Sequence, residues 1–363
     1  MLFLFAVWLL LNATLSHGLK TPITTVVSVN ELLSTCVDAC ARGCAEIRAV
    51  QERRIRAGGA LQVDYKELAD PKSALTEADS KSQAAIVHSL RHEWGPQLTI
   101  VGEEDEFVSP SSSWNDINTR AALKRNLCAG LIVKDDDDKV SLSDVIIFVD
   151  PLDGTKEFVE QRLNNCQVLV GIAVAGKAMA GAVGIPFPSG NNMENEEPTI
   201  VYGQIGMGHG VLGPIFPPSS EQARSGNLPR PYLATGDYMG NVMVEARKAT
   251  IQRFGGSNIL YGGAGNKILS SALGHVDGVI QHKFGGPWDV CAPEAILRSM
   301  GGKLTDLVGN EIIAYQNDKP SYFNELGFIA TGKNSGIDHD ELTRIMQATA
   351  AVIEYRENVM KER

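Results

Sequence analysis

Five consecutive apolar residues, Val145–Val149, run directly into the turn Asp150–Thr155, whose sequence is Asp-Pro-Leu-Asp-Gly-Thr. An apolar run this short between polar segments predicts a buried β-strand. The proline and glycine of the turn then bend the chain tightly, so that Asp150 and Asp153 can point the same way with the Leu152 carbonyl beside them. The fold must therefore bury a strand whose carboxyl end carries two carboxylates and a carbonyl.

This strand end offers only hard oxygen donors, which Mg²⁺ prefers together with water and phosphate oxygens. If the turn opens a helix, the backbone amides of Gly154 and Thr155 would also face an anion. An aspartate-rich capping turn would carry the same sequence without a metal. On this segment alone both interpretations stand.

Further acidic residues favour the metal interpretation. Glu103 and Glu104 follow the predicted strand Leu98–Val101, Asp289 lies at a predicted helix start, and Asp79 lies near the start of another helix. Singly, each is more typical of a solvated acid or a helix cap. Together they would crowd negative charge, and two carboxylates ~4 Å apart repel by roughly 4 kcal/mol. A divalent cation removes that repulsion, so the set predicts a metal centre.

The overall charge excludes one class of partner. The 363-residue chain has 33 Lys+Arg against 43 Asp+Glu, a formal charge of −10, and 44% of its residues are hydrophobic. Such a chain can fill sizeable cores but repels a nucleic acid polymer. Phosphate chemistry would have to depend on a local positive centre such as bound metal. We expect a monomer that acts on a small phosphorylated metabolite.

The pattern along the chain predicts an α/β protein in two halves. Residues 19–190 favour an α+β subdomain, with helices over Val27–Arg56 and Thr76–Trp94 packed on an antiparallel sheet. Residues 191–231 are predicted to be connecting loops with a strand. Residues 232–363 alternate strand and helix and end in a long helical stretch from about Asp338, which favours an α/β subdomain.

Three clusters resemble cofactor motifs but lack their spacing. Cys36, Cys40 and Cys44 recur every four residues on a predicted helix, without zinc or iron–sulfur spacing, and so predict a core stripe. Gly262–Lys267 lacks the Gly-Lys-Ser/Thr ending of a triphosphate-binding loop. Gly206–Gly210 lacks dinucleotide-motif spacing and predicts a hairpin turn.

Residues 1–18 have the features of a secretory signal peptide. They contain no Lys, Arg, Asp or Glu, and they have an apolar run from Leu2 to Leu11 and small residues at Ser16 and Gly18 before a cleavage point. The run is shorter than the ~20 residues that span a bilayer, so we expect no stable membrane span. The alternative is a bipartite presequence with onward routing to an organelle such as a plastid.

Three motifs in this order resemble those of the lithium-sensitive, inositol monophosphatase-like phosphohydrolases. They are Gly102-Glu103-Glu104, the Asp150–Thr155 turn and Trp288-Asp289-Val290-Cys291-Ala292. The resemblance extends from about Leu33 to Ile337. It implies a layered α-β-α-β-α sandwich of two subdomains, with metal ions in the cleft between them.

The resemblance also implies roles for single residues. It implies that two to three Mg²⁺ ions are held by Glu103, Asp150, the Leu152 carbonyl, Asp153 and Asp289. It further implies that Asp79 and Thr155 activate the attacking water, with Thr155 relaying a proton to Asp79.

Within that family, the segments around residues 150–158, 262–267 and 288–294 resemble 3′(2′),5′-bisphosphate nucleotidases, which remove the 3′-phosphate of adenosine 3′,5′-bisphosphate. Implied substrate contacts are Gly154, Thr155, Thr235, Tyr238, Gly263 and Lys267. Tyr238 departs from the pattern, since these nucleotidases commonly have a histidine there. The alternatives are a phosphatase for inositol mono- or polyphosphates and a catalytically reduced nucleotide-binding protein.

The signal peptide yields the first test. Protein isolated from its native host should begin near Leu19, because the leader is removed during secretion. Terminal sequencing measures this directly. An intact Met1 would contradict the interpretation.

Overall fold

The computed structural model describes residues 25–65, 74–104, 121–131, 138–191, 195–214, 216–218, 220, 223, 225–237, 240–282, 285–312, 315 and 326–362. The predicted signal peptide, residues 1–18, and the predicted substrate contact Tyr238 lie outside these residues. Both therefore stay predictions.

The described residues form 15 β-strands and eight α-helices. The strands are β1 (Val26–Ser28), β2 (Val63–Tyr65), β3 (Ala74–Thr76), β4 (Thr99–Gly102), β5 (Lys139–Ser141), β6 (Val145–Asp153), β7 (Gln167–Val174), β8 (Lys177–Ile185), β9 (Thr199–Gln204), β10 (Gly208–Leu212), β11 (Tyr232–Thr235), β12 (Ser257–Leu260), β13 (Gly278–Gln281), β14 (Lys303–Thr305) and β15 (Phe328–Thr331). The α-helices are α1 (Val29–Arg56), α2 (Glu77–Trp94), α3 (Thr155–Val159), α4 (Asn241–Phe254), α5 (Ala264–Ala272), α6 (Pro287–Ser299), α7 (His339–Ala348) and α8 (Ala350–Glu362).

The first sheet has six strands in the order β10-β9-β8-β7-β6-β4. Helix α1 packs on β7, β8 and β9, and α2 packs on α1 and β6. The side chains of Cys36, Cys40 and Cys44 are all fully buried in this core, which confirms the predicted apolar stripe. Strand β4 runs parallel to β6 while the other neighbours are antiparallel. The sheet is therefore mixed rather than purely antiparallel.

Helix α6 packs closely on the opposite face of this sheet. A Cβ atom added at Gly181 would lie 2.5 Å from the Ala292 Cα, and one added at Gly171 would lie 2.7 Å from the Ala292 nitrogen. Only glycine leaves room for the helix backbone at these two positions. This close contact fixes the distance of α6 from β7 and β8. It also places α6 next to β6, the strand that carries Asp150 and Asp153.

The second sheet has five strands in the order β12-β11-β13-β15-β14. Helices α5 and α6 lie between the two sheets, while α4, α7 and α8 pack together beyond the second sheet. With α1 and α2 outside the first sheet, the layers run α-β-α-β-α. The predicted layered α/β sandwich is confirmed.

Two boundaries differ from the sequence prediction. The segment 191–231, predicted as connecting loops with a strand, contributes both β9 and β10 to the six-stranded sheet. These strands form the hairpin predicted around Gly206. The C-terminal helical stretch is divided at Thr349, whose backbone is extended (φ −80°, ψ 116°). Among the described residues, no helix combines the length and hydrophobicity that crossing a bilayer requires.

Candidate active site

Asp150, Asp153 and Asp289 form a cluster of carboxylates. One carboxylate oxygen from each lies within 4.8 Å of the others. The register of β6 against β7 shifts between Asp150 and Asp153, so the turn bends as its proline and glycine predict. Gly154 has φ +91°, and a Cβ atom there would lie 2.9 Å from the Asn165 carbonyl. The turn that gathers the cluster therefore requires glycine at this position.

Asp150 is surrounded by the other acidic side chains of the site. Its side chain is 1% exposed, and Oδ1 accepts a hydrogen bond from the Leu152 amide at 3.0 Å. Burial raises the pKa of Asp150 well above its usual value, and the charges of Glu103, Asp153 and Asp289 raise it further. Glu103 is half-buried beside it, with its amide donating to the Val149 carbonyl at 3.0 Å. The predicted ligands thus repel one another when ionised.

Asp153 joins the two halves of the molecule. Its two carboxylate oxygens accept hydrogen bonds from the Ala264 amide at 3.0 Å and the Asn266 amide at 3.1 Å, both at the start of α5. Burial raises the pKa of Asp153 to about 6, although the nearby Lys267 charge and the two amides lower it. Gly263 leaves space for this contact, because a Cβ atom there would lie 2.6 Å from Oδ2 of Asp153.

Asp289 both caps a helix and belongs to the cluster. Its Oδ2 accepts a hydrogen bond from the Gly286 amide at 2.7 Å, which completes the first turn of α6. The side chain is half-buried. The sequence left the cap and the metal ligand as alternatives, but the geometry shows that one carboxylate can serve the cap and still face the cluster.

Asp79 and Thr155 meet beside the cluster. The Thr155 hydroxyl lies 2.7 Å from Oδ1 of Asp79 and 3.1 Å from the Leu152 carbonyl, and can donate to either. The other oxygen of Asp79 accepts from the Thr76 amide and hydroxyl, each at 2.7 Å. Burial raises the pKa of Asp79 to about 6, against the lowering effect of these hydrogen bonds. A carboxylate with this pKa can accept a proton near neutral pH.

Helix α2 also holds the loops that carry the acidic residues. The Ser82 hydroxyl donates to the Pro151 carbonyl at 2.8 Å, and the Gln83 side-chain oxygen accepts from the Glu104 amide at 3.1 Å. Neither residue could be found from the sequence alone, because no local pattern marks such long-range contacts. The role of Thr76 could have been found, since Thr-x-x-Asp has the spacing of a capping box.

The predicted substrate contacts come from both halves of the chain. Gly154 is the N-cap of α3, and Gly263 is the N-cap of α5 with φ +71°. The Thr235 side chain is fully buried, and its hydroxyl donates to the Asn258 side chain at 3.0 Å. Lys267 is 3% exposed, and its ammonium donates to the Gly263 carbonyl at 2.6 Å and the Tyr261 carbonyl at 3.2 Å. Their contact with a ligand stays a prediction.

The fold and the acidic site together define a class of protein. A clustered set of oxygen ligands next to an Asp–Thr pair, in an α-β-α-β-α sandwich, is suited to metal-dependent phosphate chemistry. The family model described as the inositol monophosphatase family matches residues 33–351. The chain belongs to this family, and is a phosphatase of it.

Individual proteins of known name are also similar to this chain. The 3′(2′),5′-bisphosphate nucleotidase 1 of Homo sapiens is 31% identical over 324 residues, covering 85% of this chain and 94% of that protein. The protein of the same name in Dictyostelium discoideum is 30% identical over 316 residues, with 85% and 94% covered. The crystal structure of the extragenic suppressor protein suhB from Bartonella henselae has a TM-score of 0.58 at 20% identity, covering 87% of this chain and 98% of that one. That likeness shows the fold.

The Asp79–Thr155 pair yields a test by mutation. Asp79→Asn or Thr155→Ala should slow phosphate release at saturating Mg²⁺ by roughly 10²–10⁴, the usual effect of losing a positioned base. Thr250→Ala is the matched control, because Thr250 is buried and its hydroxyl donates to the Ala246 carbonyl within its own helix. Full activity in either site variant would exclude the relay.

The pH profile separates a base from a structural aspartate. Since the pKa of Asp79 is raised to about 6, turnover of the wild type should fall as the pH drops through about 6 and the carboxylate becomes protonated. At saturating Mg²⁺, which keeps the Asp153 carboxylate ionised, the residual activity of Asp79→Asn should lack this acidic limb. An unchanged limb would mean that another group titrates.

Proposed function

We propose that the protein is a Mg²⁺-dependent phosphomonoesterase that converts adenosine 3′,5′-bisphosphate to AMP and phosphate. The observation that carries this proposal is the 2.7 Å contact between Thr155 and Asp79 beside three clustered carboxylates. A catalytically reduced binding protein would have no use for that pair. The names of the relatives in human and Dictyostelium support the nucleotide substrate.

The carboxylate cluster fits Mg²⁺. This ion binds oxygens at about 2.1 Å, so two ligands of one ion lie within about 4 Å of each other. The oxygens of Asp150, Asp153 and Asp289 lie within 4.8 Å, close to that requirement. The raised pKa values of Asp150 and Asp153 also indicate a place where added positive charge is stabilising. These three residues, with Glu103 and the Leu152 carbonyl, would hold two to three ions.

Mg²⁺, when bound, would neutralise the carboxylates and draw negative charge from the phosphate. The chain's own groups handle the proton. A water that donates to the Thr155 hydroxyl oxygen can lose a proton as Thr155 passes its own to Oδ1 of Asp79. The resulting hydroxide attacks phosphorus, the bond to the 3′-oxygen breaks, and that oxygen takes up a proton from water while Asp79 returns its proton to solvent. Thr76 holds Asp79 in place through the oxygen that does not take part.

Metal binding can be tested by its effect on thermal stability. Mg²⁺ should raise the melting temperature of the wild type, because a ligand bound only by the folded state stabilises it. Asp150→Asn or Asp289→Asn should reduce this increase and abolish turnover, since each removes one charged ligand. Thermal unfolding with and without Mg²⁺ measures the increase.

Asp306→Asn is the control for charge removal. Asp306 is 7% exposed and accepts hydrogen bonds from Val308 and Asn310 in a loop outside the cluster. Its variant should keep the full Mg²⁺-induced increase, even if its basal melting temperature falls. Undiminished increases in the cluster variants, or turnover after chelation, would contradict the metal site.

The substrate is tested by comparing specificity constants. Purified protein with Mg²⁺ should show a higher kcat/KM for adenosine 3′,5′-bisphosphate than for inositol 1,4-bisphosphate. The physical reason is the glycine turn at residues 262–263, which allows close approach of a flat base or sugar. Phosphate release measures both. The opposite order would make the inositol phosphatase the correct assignment and leave only the phosphatase chemistry.

A further inference from the structure

An ion pair lies next to the proposed catalytic residues and joins the two halves of the molecule. Lys156 follows Thr155 on α3, and its ammonium lies 3.2 Å from Oδ2 of Asp237, just beyond the end of β11. The side chains are 28% and 58% exposed. The pair is therefore reachable from solvent, and its two residues follow shortly after the ends of β6 and β11.

Within the described part of the chain, the charges around the cluster leave a second phosphate group with few partners. The carboxylate cluster repels it unless metal is bound, and the metal would be occupied by the reacting phosphate. Lys267 is 3% exposed, with its ammonium held by the Gly263 and Tyr261 carbonyls under the glycine turn. The Lys156 ammonium instead lies at an accessible position, and Lys156 directly follows Thr155 in the sequence.

We propose that Lys156 binds the second, non-reacting phosphate of the substrate, and that Asp237 occupies Lys156 as an internal competitor in the absence of substrate. This inference rests on the proposed nucleoside bisphosphate substrate. A phosphate carries more negative charge than a carboxylate and offers three acceptor oxygens, so it displaces Asp237 from the ammonium.

Arg247 gives Asp237 a second cationic neighbour during this exchange. Its Nη2 donates to the Gly236 carbonyl at 2.5 Å, which anchors the backbone next to Asp237. Burial lowers the pKa of the Arg247 guanidinium, and the Asp237 charge acts in the opposite direction. A displaced Asp237 side chain therefore keeps a cationic neighbour when it leaves Lys156.

The test compares two variants that should change the affinity for AMP in opposite directions. AMP retains the second phosphate, so its affinity is measured by calorimetry with Mg²⁺ and inorganic phosphate present to fill the metal site. Lys156→Gln should weaken AMP binding about tenfold, the effect of losing one charge-assisted hydrogen bond. Asp237→Asn should tighten it about two- to fivefold, since a weak competing ion pair is removed. Lys156→Arg should keep most of the affinity.

A double variant decides whether Asp237 acts through Lys156. If the two compete as proposed, the gain from Asp237→Asn disappears in the Lys156→Gln background. An equal gain in both backgrounds would overturn the competition, because it would show only a general effect of removing negative charge. Weakening in both single variants would show a structural ion pair and overturn the proposal.

A matched pair provides the control. Lys303 and Asp340 form another exposed lysine–aspartate ion pair, between β14 and α7. Lys303→Gln and Asp340→Asn should leave AMP affinity unchanged. The same change in these controls as in the site variants, or no measurable AMP binding by the wild type, would overturn the inference.

Turnover gives a separate result. The ratio of kcat/KM for adenosine 3′,5′-bisphosphate over adenosine 3′-monophosphate should fall about tenfold in Lys156→Gln, through KM. An unchanged ratio, with the bisphosphate still hydrolysed, would overturn the role of Lys156 alone. Absence of bisphosphate hydrolysis by the wild type would contradict the proposed function, while the AMP-binding cycle would still decide the role of Lys156.

Discussion

The contact between Asp153 and the start of α5 is the interaction on which the site depends. One carboxylate at the end of β6 accepts the Ala264 and Asn266 amides of the other half of the chain. Any shift of α5 would therefore move Asp153 relative to Asp150. The neighbouring helix α6, seated on Gly171 and Gly181, brings Asp289 to the same point. The cluster exists because two separate packing contacts converge.

This arrangement is unfavourable to stability without metal. A folded-state pKa raised to about 6 for Asp153, against an ordinary value of 3.8, means that the folded protein binds protons more readily than the unfolded chain. The resulting stabilisation is complete below pH 3.8 and is lost as the pH rises through about 6. At neutral pH the ionised carboxylates therefore destabilise the metal-free fold. A bound cation reverses the sign of that contribution.

The local parts of this structure could be predicted from the sequence, and the long-range parts could not. The apolar strand that leads into Asp150 and the turn through Gly154 are encoded by adjacent residues. The partners of Asp153 lie 111 and 113 residues away, and no local pattern carries that information. The burial of Lys267 was also hidden, because a lysine after a glycine turn is typical of a phosphate contact until the direction of α5 is known.

The difference between short-range and long-range interactions also explains how an acidic protein can act on a phosphorylated substrate. The formal charge of −10 acts over long distances and is weakened by salt, since the Debye length is about 8 Å at physiological ionic strength. Attraction within the site acts over a few ångströms, where screening is much weaker. Recognition must therefore depend on cations placed at contact distance rather than on the overall field. In the exchange proposed above, Lys156, held in position by Asp237, would meet that requirement.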